Sequence, residues 1–158
     1  MLIPIYGPEG RCVSLAARWA IPGDPLKGAK ECTPAGFTRS GGVYADPMAL
    51  ALLHGKTEDG GCRWNGVVVI VEGGKDYLTW AARAGRITMT DDGPETFAVF
   101  GVWAGAWSAD IAARIPDGAT VSIRTDQNEA GDKYAEAIAE TLHKRCKLER
   151  PTRERYAE

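Results

Sequence analysis

Three carboxylates stand where this chain could do chemistry on phosphates: Glu72, Asp76 and Asp126, with the amide of Asn128 beside the last. Glu72 closes a run of β-branched residues, and Asp76 follows four positions later. Asp126 closes a second apolar run, Ala119 to Arg124, in the polar cluster Thr125-Asp126-Gln127-Asn128-Glu129-Ala130-Gly131. Magnesium takes oxygen ligands, typically one or two protein carboxylates completed by water and substrate phosphates, so Glu72, Asp76 and Asp126 suffice for at least one ion. The same residues also have a purely structural use. Glu72 and Asp76 suit the start of a helix, and Asp126 or Asn128 can cap another.

The elements around these residues decide whether they meet. Val67-Val68-Val69-Ile70-Val71, bounded by Asn65-Gly66 and Gly73-Gly74, reads as a strand buried on both faces. Lys75 to Ala84 reads as a helix with Leu78, Ala81 and Ala82 on one face and Gly85 as its stop. Residues 86 to 96 read as a polar loop. Phe97 to Phe100 reads as a second buried strand ended by Gly101, and Ser108 as the cap of a helix running through Arg114 and stopped by Pro116-Asp117-Gly118. A third strand, Ala119 to Arg124, precedes a helix from about Glu129 to Cys146, on which Ala130, Tyr134, Ile138 and Leu142 recur every four residues. Strands alternating with helices imply βαβ units and a parallel sheet, whose strands present their carboxyl ends to a common crevice. With right-handed crossovers, Asp126 and Asn128 emerge on the same edge as Glu72.

The first third differs in character. Leu2 to Tyr6 and Arg11 to Trp19 read as a hairpin about Gly7-Pro8-Glu9-Gly10. Ile21 to Gly42 reads as a long loop carrying Lys27, Lys30 and Arg39, and loops of that length are functional or disordered. A short helix, Met48 to Leu53, and a polar connection, Lys56 to Gly61, follow. The expected organisation is a small β-rich lobe, 1–62, ahead of an α/β domain, 63–158.

Composition narrows the classes. With 158 residues, 44% hydrophobic, 25% charged and a net charge of −2, any nucleic-acid surface must be local rather than a global basic excess. Cys12, Cys32, Cys62 and Cys146 have no C-x-x-C spacing, and His54 and His143 lie far from any pair of them, which argues against zinc and for thiols in a reducing cytoplasm. No apolar run approaches the ~18 residues of a membrane span, and the start lacks the charged region of a signal peptide.

Val69-Ile70-Val71-Glu72-Gly73-Gly74-Lys75-Asp76 resembles the glutamate motif of Toprim domains, and Thr125 to Gly131 resembles their D-x-D motif with its Ala-Gly helix start. Ile3 to Arg11, Ala17-Arg18, Pro25-Leu26-Lys27 and Gly42-Val43-Tyr44 are similar in order and spacing to the lobe that precedes Toprim in bacterial and phage DnaG-type primases. The resemblance implies a Rossmann-like parallel sheet flanked by helices and a DNA primase core that makes short RNA primers by nucleotidyl transfer. It implies Glu72 and Asp126 as catalytic residues, with Glu72, Asp76, Asp126 and Asn128 holding Mg²⁺ or Mn²⁺. It further implies Arg18 and Lys27, and more weakly Lys30 and Arg39, as contacts to nucleic acid or nucleotide phosphates, although each is equally well a solvated charge. Implied partners are a single-stranded DNA template, nucleoside triphosphates and a replicative helicase.

Two departures shape the alternatives. Asn128 replaces the second aspartate, keeping a carbonyl oxygen but losing the charge that helps hold a divalent ion. The chain also stops soon after the last helix, where primases continue through another strand to a further acidic motif. A degenerate Toprim module that binds nucleic acid or a replication partner is therefore the second reading. A Toprim nuclease, using the same acids, is the third.

Overall fold

A computed structural model describes residues 1–19, 31–37, 40–55, 66–84, 88–90, 93–103 and 106–151, with the backbone alone at 88–90 and 93–95. At its centre lies β5 (Val67–Glu72), flanked by β8 (Phe97–Val102) on one side and β9 (Thr120–Arg124) on the other, both parallel to it. β10 (Lys147–Glu149) extends the sheet in parallel beyond β9, and β4 (Tyr44–Ala45) closes the other edge antiparallel to β8. The order is β10-β9-β5-β8-β4, a five-stranded, mostly parallel sheet of Rossmann-like α/β type.

Two apolar layers explain the unbroken β-branched run. Val68 and Ile70 face one layer with Phe100 and Ile123, which α1 (Pro47–Leu53), α3 (Ala109–Ala112) and α4 (Glu129–Leu142) cover with Leu52, Leu53, Ile111, Ile138 and Leu142. Val69 and Val71 face the opposite layer with Val99, Tyr44 and Tyr77 of α2 (Gly73–Ala84). Successive side chains of a strand alternate between faces, so a strand covered on both sides has no polar position to spare. Each fully buried Val or Ile here stabilises by roughly 1.5–3 kcal/mol.

The first third forms its own sheet and also completes the large one. β1 (Leu2–Tyr6) and β2 (Cys12–Arg18) pair antiparallel, with Ile3 opposite Ala16 and Ile5 opposite Ser14, and β3 (Glu31–Cys32) adds to β2. Ile3, Ile5 and Ala16 pack into the same layer as Val69 and Val71. Tyr44 and Ala45 then cross into the large sheet, and Asp46 caps α1 by accepting from Ala49 N at 2.8 Å while also accepting from Val99 N of β8 at 3.1 Å.

Several boundaries differ from those expected. α2 starts at Gly73, not Lys75, because Gly73 adopts φ 75° and turns the chain from strand to helix within one residue. Gly101 lies inside β8 rather than ending it. A Cβ there would come within 2.7 Å of the Tyr77 Cβ and 2.9 Å of the Tyr44 ring, so its bareness serves close packing, not a stop. The stretch expected as a polar loop, 86–96, contains an antiparallel pair, β6 (Thr88–Thr90) with β7 (Gly93–Glu95). α3 ends at Ala112 and α4 at Leu142, shorter than the periodicity implies, and β10 supplies a further strand after α4. The Gly85 helix stop and the Lys56 to Gly61 connection lie outside the described residues. Among the described residues no helix is long and apolar enough to cross a membrane.

Candidate functional site

Parallel pairing of β5 with β9, Val71 opposite Arg124, brings the two acidic strand ends together. Glu72 is half-buried, and its Oε2 accepts the backbone N–H of Asp126 at 3.0 Å. Asp126, also half-buried, sits two residues beyond the end of β9, after the buried Thr125. One side chain therefore ties the loop after β9 to the loop after β5.

The same loop is pinned from its other end. Asn128 is exposed and is the N-cap of α4, its Oδ1 accepting from Gly131 N at 2.9 Å. That satisfies one of the orphan donors at the helix start. Gly131 has a second role. A Cβ at this position would lie 1.9 Å from the Asp126 carbonyl oxygen, so only glycine lets the first turn of α4 rest on the Asp126 peptide. The carbonyl oxygen expected of Asn128 as a metal ligand is thus already engaged in the cap.

Asp76 lies in the first turn of α2 and is half-buried. It lines a cleft between α2 and β9 together with Trp80, Arg83, Arg124, Thr125 and Gln127. The Arg124 guanidinium carbon stands 4.3 Å from the Trp80 ring centroid, and that of Arg83 5.4 Å. Arg124 Nε also donates to Ser122 Oγ at 3.1 Å. Asp76 thus shares this cleft with two cations.

Among the described residues, no three His, Cys, Asp or Glu side chains gather as a metal-holding group. The acids present suit a divalent ion of another kind. Glu72 has one carboxylate oxygen beyond the bond to the Asp126 backbone, and Asp126 itself follows β9 at the same edge of the sheet. Magnesium is commonly held by one or two carboxylates and completed by substrate phosphates and water, so this donor set fits a substrate-completed ion and not an all-protein cage.

Of the expected nucleic-acid contacts, Lys27, Lys30 and Arg39 lie outside the described residues. Arg18 ends β2, and its NH1 donates to Glu31 Oε2 at 3.0 Å, with both side chains largely buried. The Tyr44 hydroxyl donates to Glu31 Oε1 at 2.5 Å. A Cβ on Gly74 would lie 2.5 Å from Glu31 Oε2, so the carboxylate sits directly against the second residue of α2. Glu31 therefore joins the hairpin sheet, the edge strand and the turn that follows Glu72. Sequence reading missed it, since a lone glutamate in a segment without periodicity carries no signal that two partners distant in the chain will close on it.

No protein-family model matches the chain, and neither curated proteins nor solved structures give a significant match.

Proposed function

We propose that this chain is a Toprim-type core that carries out metal-dependent nucleotidyl transfer, making short RNA primers on single-stranded DNA. The observation that supports it is the junction of two acidic strand ends, with the Glu72 carboxylate bonded to the Asp126 amide at 3.0 Å. Glu72 and Asp126 would hold Mg²⁺ or Mn²⁺. Such an ion neutralises charge developing on the transferred phosphoryl group and lowers the pKa of an attacking hydroxyl.

The chain's own residues do the positioning. Glu72 and the Asn128 cap fix the backbone of the Asp126 loop before substrate arrives, which keeps the reorganisation cost of reaction low. Arg18 and Tyr44 orient Glu31 against the α2 start, and so hold the turn that carries Glu72. Template and nucleotide contacts from Lys27, Lys30 and Arg39 belong to the same proposal.

A second reading, a binding module without chemistry, is favoured by one observation: the Asn128 oxygen is spent on Gly131 N. Primer synthesis by the intact chain on single-stranded DNA, with Mn²⁺ and all nucleoside triphosphates, separates the two. Product that disappears in Glu72→Gln while strand binding persists supports the enzyme. Strand binding without product from the wild-type chain means the module.

A further inference from the structure

The cleft between α2 and β9 lies beside the acidic junction and is unlike it in charge. We propose that it is a phosphate-binding pocket in which Arg83 and Arg124, both carried on Trp80, receive a phosphate group of a nucleotide or of a nucleic-acid strand. The proposal rests on the nucleotidyl-transfer reading only in assigning that edge its substrate class; the binding itself stands on the cleft.

Four features carry it. First, two guanidinium groups face one indole, at 4.3 and 5.4 Å from its centroid. Stacking on an aromatic face holds a planar guanidinium in place, and that group is well matched to phosphate. Second, the remaining lining supplies hydrogen-bonding groups, the Thr125 hydroxyl and the Gln127 amide, against a single carboxylate, Asp76. Two arginines and one aspartate thus line it, in a chain whose net charge is −2. Third, the cleft is open to solvent and offers about 130 Å³. One water needs only about 10–15 Å³ by that measure, so the cleft has room for a phosphate group, and its open side leaves the rest of a nucleotide or strand in solvent. Fourth, Thr125 immediately precedes Asp126, so a phosphate seated here is next to the Glu72–Asp126 junction along the same strand end. The arginines are also placed by separate elements. Arg83 comes from the last turn of α2, and Arg124 is the final residue of β9, with its Nε anchored on Ser122.

The test is calorimetric titration of the intact chain in EDTA, so that neither metal-mediated contacts nor synthesis contribute. Probes are ATP, adenosine and a short oligothymidylate. The wild-type chain should bind at least one of the two phosphate-bearing probes and not adenosine. Arg83→Gln, at an exposed position, should weaken that binding about tenfold, as loss of one charge-assisted contact does, and Arg124→Gln at least as much. If free nucleotide is the natural source, ATP suffers. If the strand backbone is, oligothymidylate suffers instead, and its salt slope falls by about 0.7 per arginine removed. Adenosine binding as tightly as ATP overturns the proposal, as does failure of both phosphate probes to bind. Binding unchanged within twofold in both variants, with wild-type circular dichroism, overturns it too. A wild-type chain that makes no primer yet shows the arginine-dependent binding in EDTA refutes the enzyme reading and leaves the pocket standing.

Discussion

Glu72 does two things at once, and two substitutions separate them. Its Oε2 accepts the Asp126 backbone N–H at 3.0 Å from a half-buried position. A hydrogen bond to a charged acceptor is worth roughly 1.5–3 kcal/mol, and partial solvent access places this one at the lower end. Glu72→Gln keeps a carbonyl acceptor of the same reach, so it should cost about 1 kcal/mol or less. Glu72→Ala removes the acceptor and should cost about 1.5–2 kcal/mol, a fall of about 0.7–1 M in urea midpoint at an m of about 2 kcal/mol/M. Both substitutions should lower primer synthesis by about a hundredfold or more, because both remove the charge needed where phosphoryl charge develops. Urea melts at unchanged m and gel-resolved primer synthesis are the two assays. Full synthesis by Glu72→Gln would show that Glu72 is not at the reacting centre. An unshifted midpoint in Glu72→Ala would show that the bond to Asp126 contributes nothing to the fold.

Three further outcomes follow from the same contacts. Burial holds the Asp46 carboxyl above its usual 3.8, against the opposing pull of the Ala49 and Val99 amides. The native state then retains the proton longer than the unfolded one, so this group's contribution is full below the unfolded value and is lost as pH rises through the folded one. Asp46→Asn keeps the Oδ1 acceptor and should remove that decline; urea melts from pH 4 upward with identical slopes in the two proteins would contradict it. Gly131→Ala puts a Cβ 1.9 Å from the Asp126 carbonyl oxygen, where only backbone movement gives relief, and should cost about 3 kcal/mol or more by thermal melting. Asn128→Ala should cost about 1 kcal/mol by loss of the α4 cap, whereas Asn128→Asp should be neutral within a few tenths; equal losses in chemical denaturation would exclude the cap as the reason.

Much of the large sheet was legible in the chain because its signals are local. The Val67 to Val71 run, the helical spacing of Ile138 and Leu142 and the capping residues Ser108 and Asn128 each act within a few positions, and each element is present, α3 and α4 ending earlier than expected. Short strands escaped for the opposite reason. β3, β4 and β10 have two or three residues each, too few to show a period, and they exist because longer strands offer them hydrogen bonds. Gly101 reads as a stop because glycine signals both a break and a close approach, and only the Tyr77 and Tyr44 side chains distinguish them.

The candidate site divides along the same line. The residue types at the strand ends, and the adjacency of Glu72 and Asp126, followed from βαβ connection rules acting on the order of elements. What Asn128 does with its oxygen, that Arg18 is paired with Glu31, and that Asp76 stands with Arg83 and Arg124 did not. The last two depend on contacts across 13 positions, for Arg18 and Glu31, and across the 48 that separate Asp76 from Arg124, whereas the Asn128 cap is local and sequence alone left it as one of two uses of that oxygen. Local preference specifies each element and its order with energies set within a turn or a strand. Which charges then face one another is decided by packing, because only burial of the two apolar layers fixes how α2 lies against β9.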